Sequence, residues 1–258
     1  MGVFKALLVA SLKSQIEYRV NFYVDMIVSG LAMFSDFLII AFMMLTFKDM
    51  GGWSLSEVAI IYSIVEAGWG IFRIFGDGIL RFQDLIITGR FDAILVRPIS
   101  TIKQLILQRI ELRRMGDIIQ AVGLGAFGIT YAGMWNVRFI LWYIVLVAFS
   151  AVIHFCINLL LATVAFWSVR NEDIRVVAFY STKAAAAYPI SIYGPFLRNI
   201  LTFVIPLATI AYYPLAYLLH KTNDIFALFA PFITVSVLVP VTFLLWGTGV
   251  KHYTSTGT

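Results

Sequence analysis

Asp36 and Glu66 are the residues of this sequence best placed to do chemistry, because each carboxylate falls near the middle of a long apolar run. A charge at the centre of a bilayer costs at least ~3 kcal/mol even on the lenient insertion scale, so such groups face protein or water, or carry a proton. Three roles stay open for them: bonding to neighbouring helices of a partner subunit, lining a substrate cavity, or carrying protons in a secondary transporter. Arg73 follows Glu66 by seven residues, two helical turns along one face, where Asp25 can pair with it. His154 and Asn158 make an i, i+4 polar pair on a later run, a spacing that favours interhelical hydrogen bonding over catalysis.

Other chemistries lack their residues. The chain contains no HExxH, no GxSxG and no multi-aspartate metal motif. A phosphate loop of the form GxxxxGK[S/T] is also missing, and Gly247-Thr-Gly249-Val-Lys251 lies at the end of an apolar run with no helix after it. If ATP powers this protein, another subunit binds it. The single cysteine, Cys156, permits no intramolecular disulfide, and His154, His220 and His252 are too scattered for a structural zinc site.

The elements that carry these residues are membrane spans. Of 258 residues 61% are hydrophobic and 13% charged, against roughly 25% charged in an average soluble domain. Mean hydropathy is +0.91. Five apolar runs, at 22–47, 58–75, 118–135, 139–167 and 226–246, are each long enough to cross a hydrocarbon core of ~30 Å. Residues 2–19 place Phe4, Leu8, Leu12 and Ile16 on one side of a helix that reads as amphipathic and interfacial rather than as a signal peptide.

The net charge of +5 does not indicate nucleic acid, because the basic residues fill short segments between runs, where the positive-inside bias puts them. Those segments alternate, so both termini read as cytoplasmic. The stretch 176–219 is apolar but broken by Pro189, Pro195, Pro206 and Pro214, and parity requires it to cross once. One span over 176–193, followed by a hairpin of short helices over 194–222 dipping in from the outer face, satisfies that count. The expected fold is all-α: six transmembrane helices in a single domain, with an interfacial helix, a cytoplasmic segment over 76–115 and a re-entrant hairpin.

Within 76–115, residues 78–88 read as a short helix with Ile79, Phe82, Leu85 and Ile86 on one face and Gly89 at its C-cap. Pro98 suits the first turn of a helix that runs through Ile106 and Ile110 into the third span. The string Gly89-Arg-Phe-Asp92-Ala-Ile-Leu95-Val-Arg97-Pro98, with Tyr188-Pro189, Phe203-Val-Ile-Pro206 and Tyr213-Pro214 downstream, resembles the ABC type-2 permeases, small export permeases of about this length. The resemblance covers essentially the whole chain. It implies a prokaryotic plasma-membrane protein that works as a homo- or heterodimer, with an ATPase subunit, holding ATP and magnesium, under each half. It further implies that the short cytoplasmic helix is the coupling element, with Phe82, Asp84, Leu85, Arg90, Asp92 and Arg97 touching the ATPase. The exported substrate would then be amphipathic or hydrophobic. A proton-coupled carrier and a non-transporting scaffold are the alternatives.

Overall fold

The computed structural model describes residues 19–47, 51–168 and 185–255. Helix α1 (Arg19–Phe47) leads into a turn at Gly51 and Gly52, both with positive φ, and then into α2 (Leu55–Leu80). Ser54 starts α2 through a capping box: its hydroxyl accepts from the Glu57 N–H while the Glu57 carboxylate accepts from the Ser54 N–H. Every residue from 58 to 70 is buried, so α2 is the central post of the bundle. Its apolar residues occur all round the helix, the pattern that calls for neighbours on every side.

Those neighbours approach through small residues. A Cβ on Gly68 would strike Ser150 of α7 (Val137–Thr163), and one on Gly70 would press Ile118 of α6 (Met115–Tyr131). Without a hydrophobic drive between helices in lipid, this close backbone contact is what holds spans together. Helix α1 sits at the edge, with Met33, Phe37 and Ile40 turned inward and Val20, Val24, Ile27, Leu31 and Phe42 exposed.

Four stretches among the described residues are long and apolar enough to cross a membrane: Val20–Thr46, Leu55–Ile87, Val137–Phe166 and Ile225–His252. They cover four of the five predicted runs. The other predicted run is α6, which has 17 residues and spans about 25 Å, the short limit for a crossing. It ends at Gly133 in the left-handed region, and the Asn136 side chain then caps α7. The interfacial helix expected over 2–19, apart from Arg19, and the first half of the fifth crossing expected over 176–193 lie outside the described residues; the second half, 185–193, is not a continuous helix but breaks before Pro189 into a 3-10 turn at Ile190–Ile192.

After α2 the chain folds into three short helices, α3 (Phe82–Ile87), α4 (Asp92–Leu95) and α5 (Thr101–Gln108), at what we call the basic end. Gly89 ends α3 with φ +65°, as its position in the sequence required. Two expectations are corrected here. Pro98 precedes α5 by three residues instead of sitting in its first turn, and α5 does not run into α6. The chain breaks into extended backbone at Arg109 and a 3-10 turn at Leu112–Arg114, because the Glu111 N–H donates to the Ile74 carbonyl at 3.0 Å and pins this segment against α2.

Where the re-entrant hairpin is expected, over 194–222, the chain forms two helical pieces bent by 75°, Pro195–Val204 and Leu207–Leu218, a geometry common to a broken span and a re-entrant loop. The first comprises α8 (Pro195–Asn199) and a π turn, and the second contains α9 (Tyr212–Leu218). A clamp at the end opposite the basic one fastens α9 to the start of α2. Lys221 Nζ donates to the Gly52 carbonyl at 2.7 Å, pairs with Glu57 at 3.0 Å and lies 4.9 Å from the Trp53 ring centre. The closing helix α10 (Ile225–His252) carries Pro231 and Pro240 and packs on α7 through Phe149 and Phe232, 4.3 Å between ring centres.

Candidate functional site

The basic end is a folded unit because its aromatic side chains converge. Phe82 lies 5.1 Å from Phe91, 5.0 Å from Phe166 at the end of α7 and 4.8 Å from Trp246 of α10, ring centre to ring centre. Tyr253 closes the far side against Phe91 at 5.1 Å. Polar contacts hold the rim: Trp246 Nε1 donates to Thr101 Oγ1 at 2.9 Å, and Gln104 Nε2 donates to the carbonyls of Ile94 and Ile99. The face Ile79, Phe82, Ile86 therefore looks into the bundle. What it leaves outside is a mixed surface of Asp84, Ile87, Arg90, Leu95, Val96, Arg97 and Ile99, with Val96 83% exposed.

This unit is tied to the spans by a chain of alternating charges. Arg81 and Arg109 both reach Asp77, at 3.0 and 3.3 Å. Arg109 continues to Glu111 at 2.6 Å, Glu111 pairs with Arg113, and Arg113 reaches Asp25 of α1 at 3.1 Å. Single exposed pairs contribute little, but a linked network with one nearly buried member fixes geometry. Glu111 is that member. Burial pushes its carboxyl up, but hydrogen bonds from Arg109 and the charges of Arg113 and Arg109 outweigh this and hold it below its ordinary 4.5. A depressed acid contributes stability that is complete above 4.5 and fades as pH falls through the lower folded value. Thermal melts of the purified protein should therefore be flat with respect to this group from pH 7 to 5 and fall below 4.5, and Glu111→Gln should flatten that acid limb.

Deeper in the bundle runs a polar seam between α2 and α6. The Tyr62 hydroxyl donates to the Met33 carbonyl at 2.6 Å, and the carboxylates of Glu66, Asp36 and Asp117 all lie near enough to act on it. Glu66 and Asp117 are fully buried, and the Asp117 oxygens have no hydrogen-bond partner among the described residues. Gln120, one turn on from Asp117, likewise has its amide buried without one. Polar groups left so inside an apolar bundle cost free energy, so a fold retains them where function needs them.

A family model described as ABC-2 family transporter protein matches residues 31–257, nearly the whole chain. The chain belongs to the ABC-2 transporter family. No curated protein sequence and no solved structure matches it. As an ABC-2 permease it is a membrane transport subunit, and permeases of this family work with an ATP-binding subunit.

The residues singled out in the sequence divide sharply in this ABC-2 permease. Asp84, Arg90 and Arg97 are exposed at the basic end, and Leu85 and Asp92 are half-buried there, Asp92 accepting from Ser255 at 2.6 Å. Phe82 is corrected: fully buried at the centre of the aromatic cluster, it has no surface to offer a partner. Ile87, Leu95 and Val96 are exposed apolar residues of this surface that the sequence reading did not single out. Asp36 and Glu66 both lie near Tyr62, yet Asp36 is exposed on α1 while Glu66 is enclosed. Asp25, expected beside Arg73, has Arg113 as its salt-bridge partner. His154 and Asn158 are buried, and within their own helix Nδ1 of His154 bonds to the Ser150 carbonyl and Nδ2 of Asn158 donates to the His154 carbonyl. The His154 ring also meets Trp69 edge-on at 5.2 Å.

Proposed function

We propose that this chain is the permease subunit of an ATP-binding cassette exporter whose basic end is cytoplasmic and docks a separate ATPase. The observation that carries the reading is the exposed surface Ile87, Arg90, Leu95, Val96 and Arg97 on a unit locked to four spans at once. Phe82 and its ring partners join that unit to α7 and α10, and the Asp77–Arg109–Glu111–Arg113–Asp25 chain joins it to α1 and α2. A push on the surface then moves spans, which is what coupling demands. A second protomer completes the pathway, along which an amphipathic or hydrophobic substrate passes. Membrane lipids cover the exposed apolar faces.

Val96→Glu combined with Arg97→Glu tests the docking surface. Both side chains are exposed, so stability should move by less than about 0.5 kcal/mol. Co-purification of the ATP-binding subunit that the parent chain brings down from its native membrane should be lost, along with stimulation of its ATP hydrolysis. An undiminished complex, or a chain that purifies from its native membrane without any nucleotide-binding subunit, would overturn the proposal.

A proton-coupled carrier is the second reading, favoured by the enclosed Glu66 and Asp117. Under it, Glu66→Gln and Asp117→Asn abolish transport that an uncoupler also stops. Under ATP-driven export an uncoupler leaves transport intact.

A further inference from the structure

Two cavities at the end opposite the basic one share a single residue. The first, about 400 Å³, is polar and lies where the start of α7 meets the turn between α9 and α10; it is lined by Asn136, Arg138, Tyr217, His220, Thr222 and Asn223 among others. The second, about 490 Å³, is an apolar groove between α7 and α10 lined by Val137, Leu141, Trp142, Val145 and Phe232. Arg138 lines both. Each volume falls within the range of small-molecule sites.

We propose that the two cavities form one binding site for an anionic phospholipid, its phosphate held by Arg138 and His220 and one acyl chain lying along the groove. The charge pattern fits this occupant. Arg138 has no ion-pair partner among the described residues, and no acid lines either cavity. The neighbouring Asp224 is engaged elsewhere, its Oδ1 accepting from the Phe226 N–H at 2.9 Å to cap α10. Asn136 uses its side-chain oxygen to cap α7, which leaves its amide N–H groups as donors toward the polar cleft.

The groove has the right length and place. From Val137 to Val145 it follows eight residue steps along α7, about 12 Å, and half of a hydrocarbon core is about 15 Å. It therefore accommodates a chain descending one leaflet from a headgroup at the interface, where Arg138 stands one residue into the helix. Trp142 gives the groove an aromatic wall at the depth such rings prefer. A bare phosphate would fill the cleft and leave the groove unexplained, while a neutral lipid would fill the groove and leave Arg138 uncompensated.

Trp142 also supplies the readout. The full-length protein is reconstituted in phosphatidylcholine vesicles containing a minor fraction of brominated phosphatidylglycerol or of brominated phosphatidylcholine. Quenching due to Trp142 is the difference between the protein and its Trp142→Phe variant. The anionic lipid should quench that component with about fivefold higher apparent affinity, the discrimination expected of one basic side chain at a membrane surface. Arg138→Gln with His220→Gln should bring it to the phosphatidylcholine level, and Arg138→Lys should retain most of the preference. Both residues are exposed, so elution volume and tryptophan emission should stay unchanged and confirm that the variants fold. Equal quenching by the two lipids means non-selective contact and overturns the site. A preference that survives the double substitution also overturns it. Millimolar inorganic phosphate should leave the quenching intact; if it abolishes it, the cleft holds a free anion and the lipid proposal fails.

Discussion

Phe82→Ala should lower the stability of this permease by about 3–5 kcal/mol, the range for truncating a fully buried aromatic ring. The ring touches Phe91 of its own unit as well as Phe166 and Trp246 of two spans, so it is shared by three parts of the chain. Aromatic pairs of this geometry contribute ≈ 0.5–1.5 kcal/mol each beyond the area they cover. Collapse of the neighbours into the space is restricted, because Trp246 is held by its hydrogen bond to Thr101 and Phe91 by Tyr253. Two measurements check this. The melting temperature in detergent should drop steeply, and trypsin should cut after Arg90 well below that temperature as the unit detaches. Val96→Ala, on the exposed side of the same unit, should do neither.

The contrast between Phe82 and Val96 shows where the sequence was legible and where it was not. Periodicity placed Ile79, Phe82 and Ile86 on one face correctly, since spacing alone decides which side chains share a side. Whether that face meets the bundle or the solvent depends on Phe166 and Trp246, which are distant in the chain and converge only in the fold. Apolar run length identified α1, α2, α7 and α10 for a different reason: a bilayer sets their length without reference to any partner. Pro206 marked the bend between the two pieces, because it has no N–H with which to continue the first of them.

Of the polar residues, Glu66 stood out because it interrupts an apolar run. Asp117 did not, because it follows Arg113 and Arg114 and reads as the last loop residue, although the fold encloses it completely. Arg109 and Glu111 were equally unmarked. Their pairing requires extended backbone at Arg109, and a sequence of good helix formers gives no sign of that break. The charge network thus sits where a loop is pulled out of its local preference by contacts with α2, and only the fold shows it.

Two glycines on α6 should respond to alanine with opposite signs. Gly123 has no atom within 4 Å of the place its Cβ would occupy, so Gly123→Ala should behave as an ordinary helix-interior change and stabilise by about 0.5–1 kcal/mol. At Gly116 the same methyl would run into the carbonyl oxygen of Met26 on α1, and a Cβ on Gly30 would in turn lie 3.0 Å from the Gly116 carbonyl oxygen. Both sides of that contact are main chain, so no rotamer relieves it and a helix must move. Overpacking of this kind costs about 1–3 kcal/mol. Helix α1 is the one to yield, because it lies at the edge with most of its surface exposed. Its displacement would stretch the Asp25–Arg113 pair and the Tyr62 bond to Met33, so the cost should reach the basic end as well. Melts of the two variants under one condition give the comparison: Gly123→Ala at or above the parent, Gly116→Ala clearly below it. ATPase stimulation should fall only in Gly116→Ala, because only there does the span that anchors the charge network lose its seat.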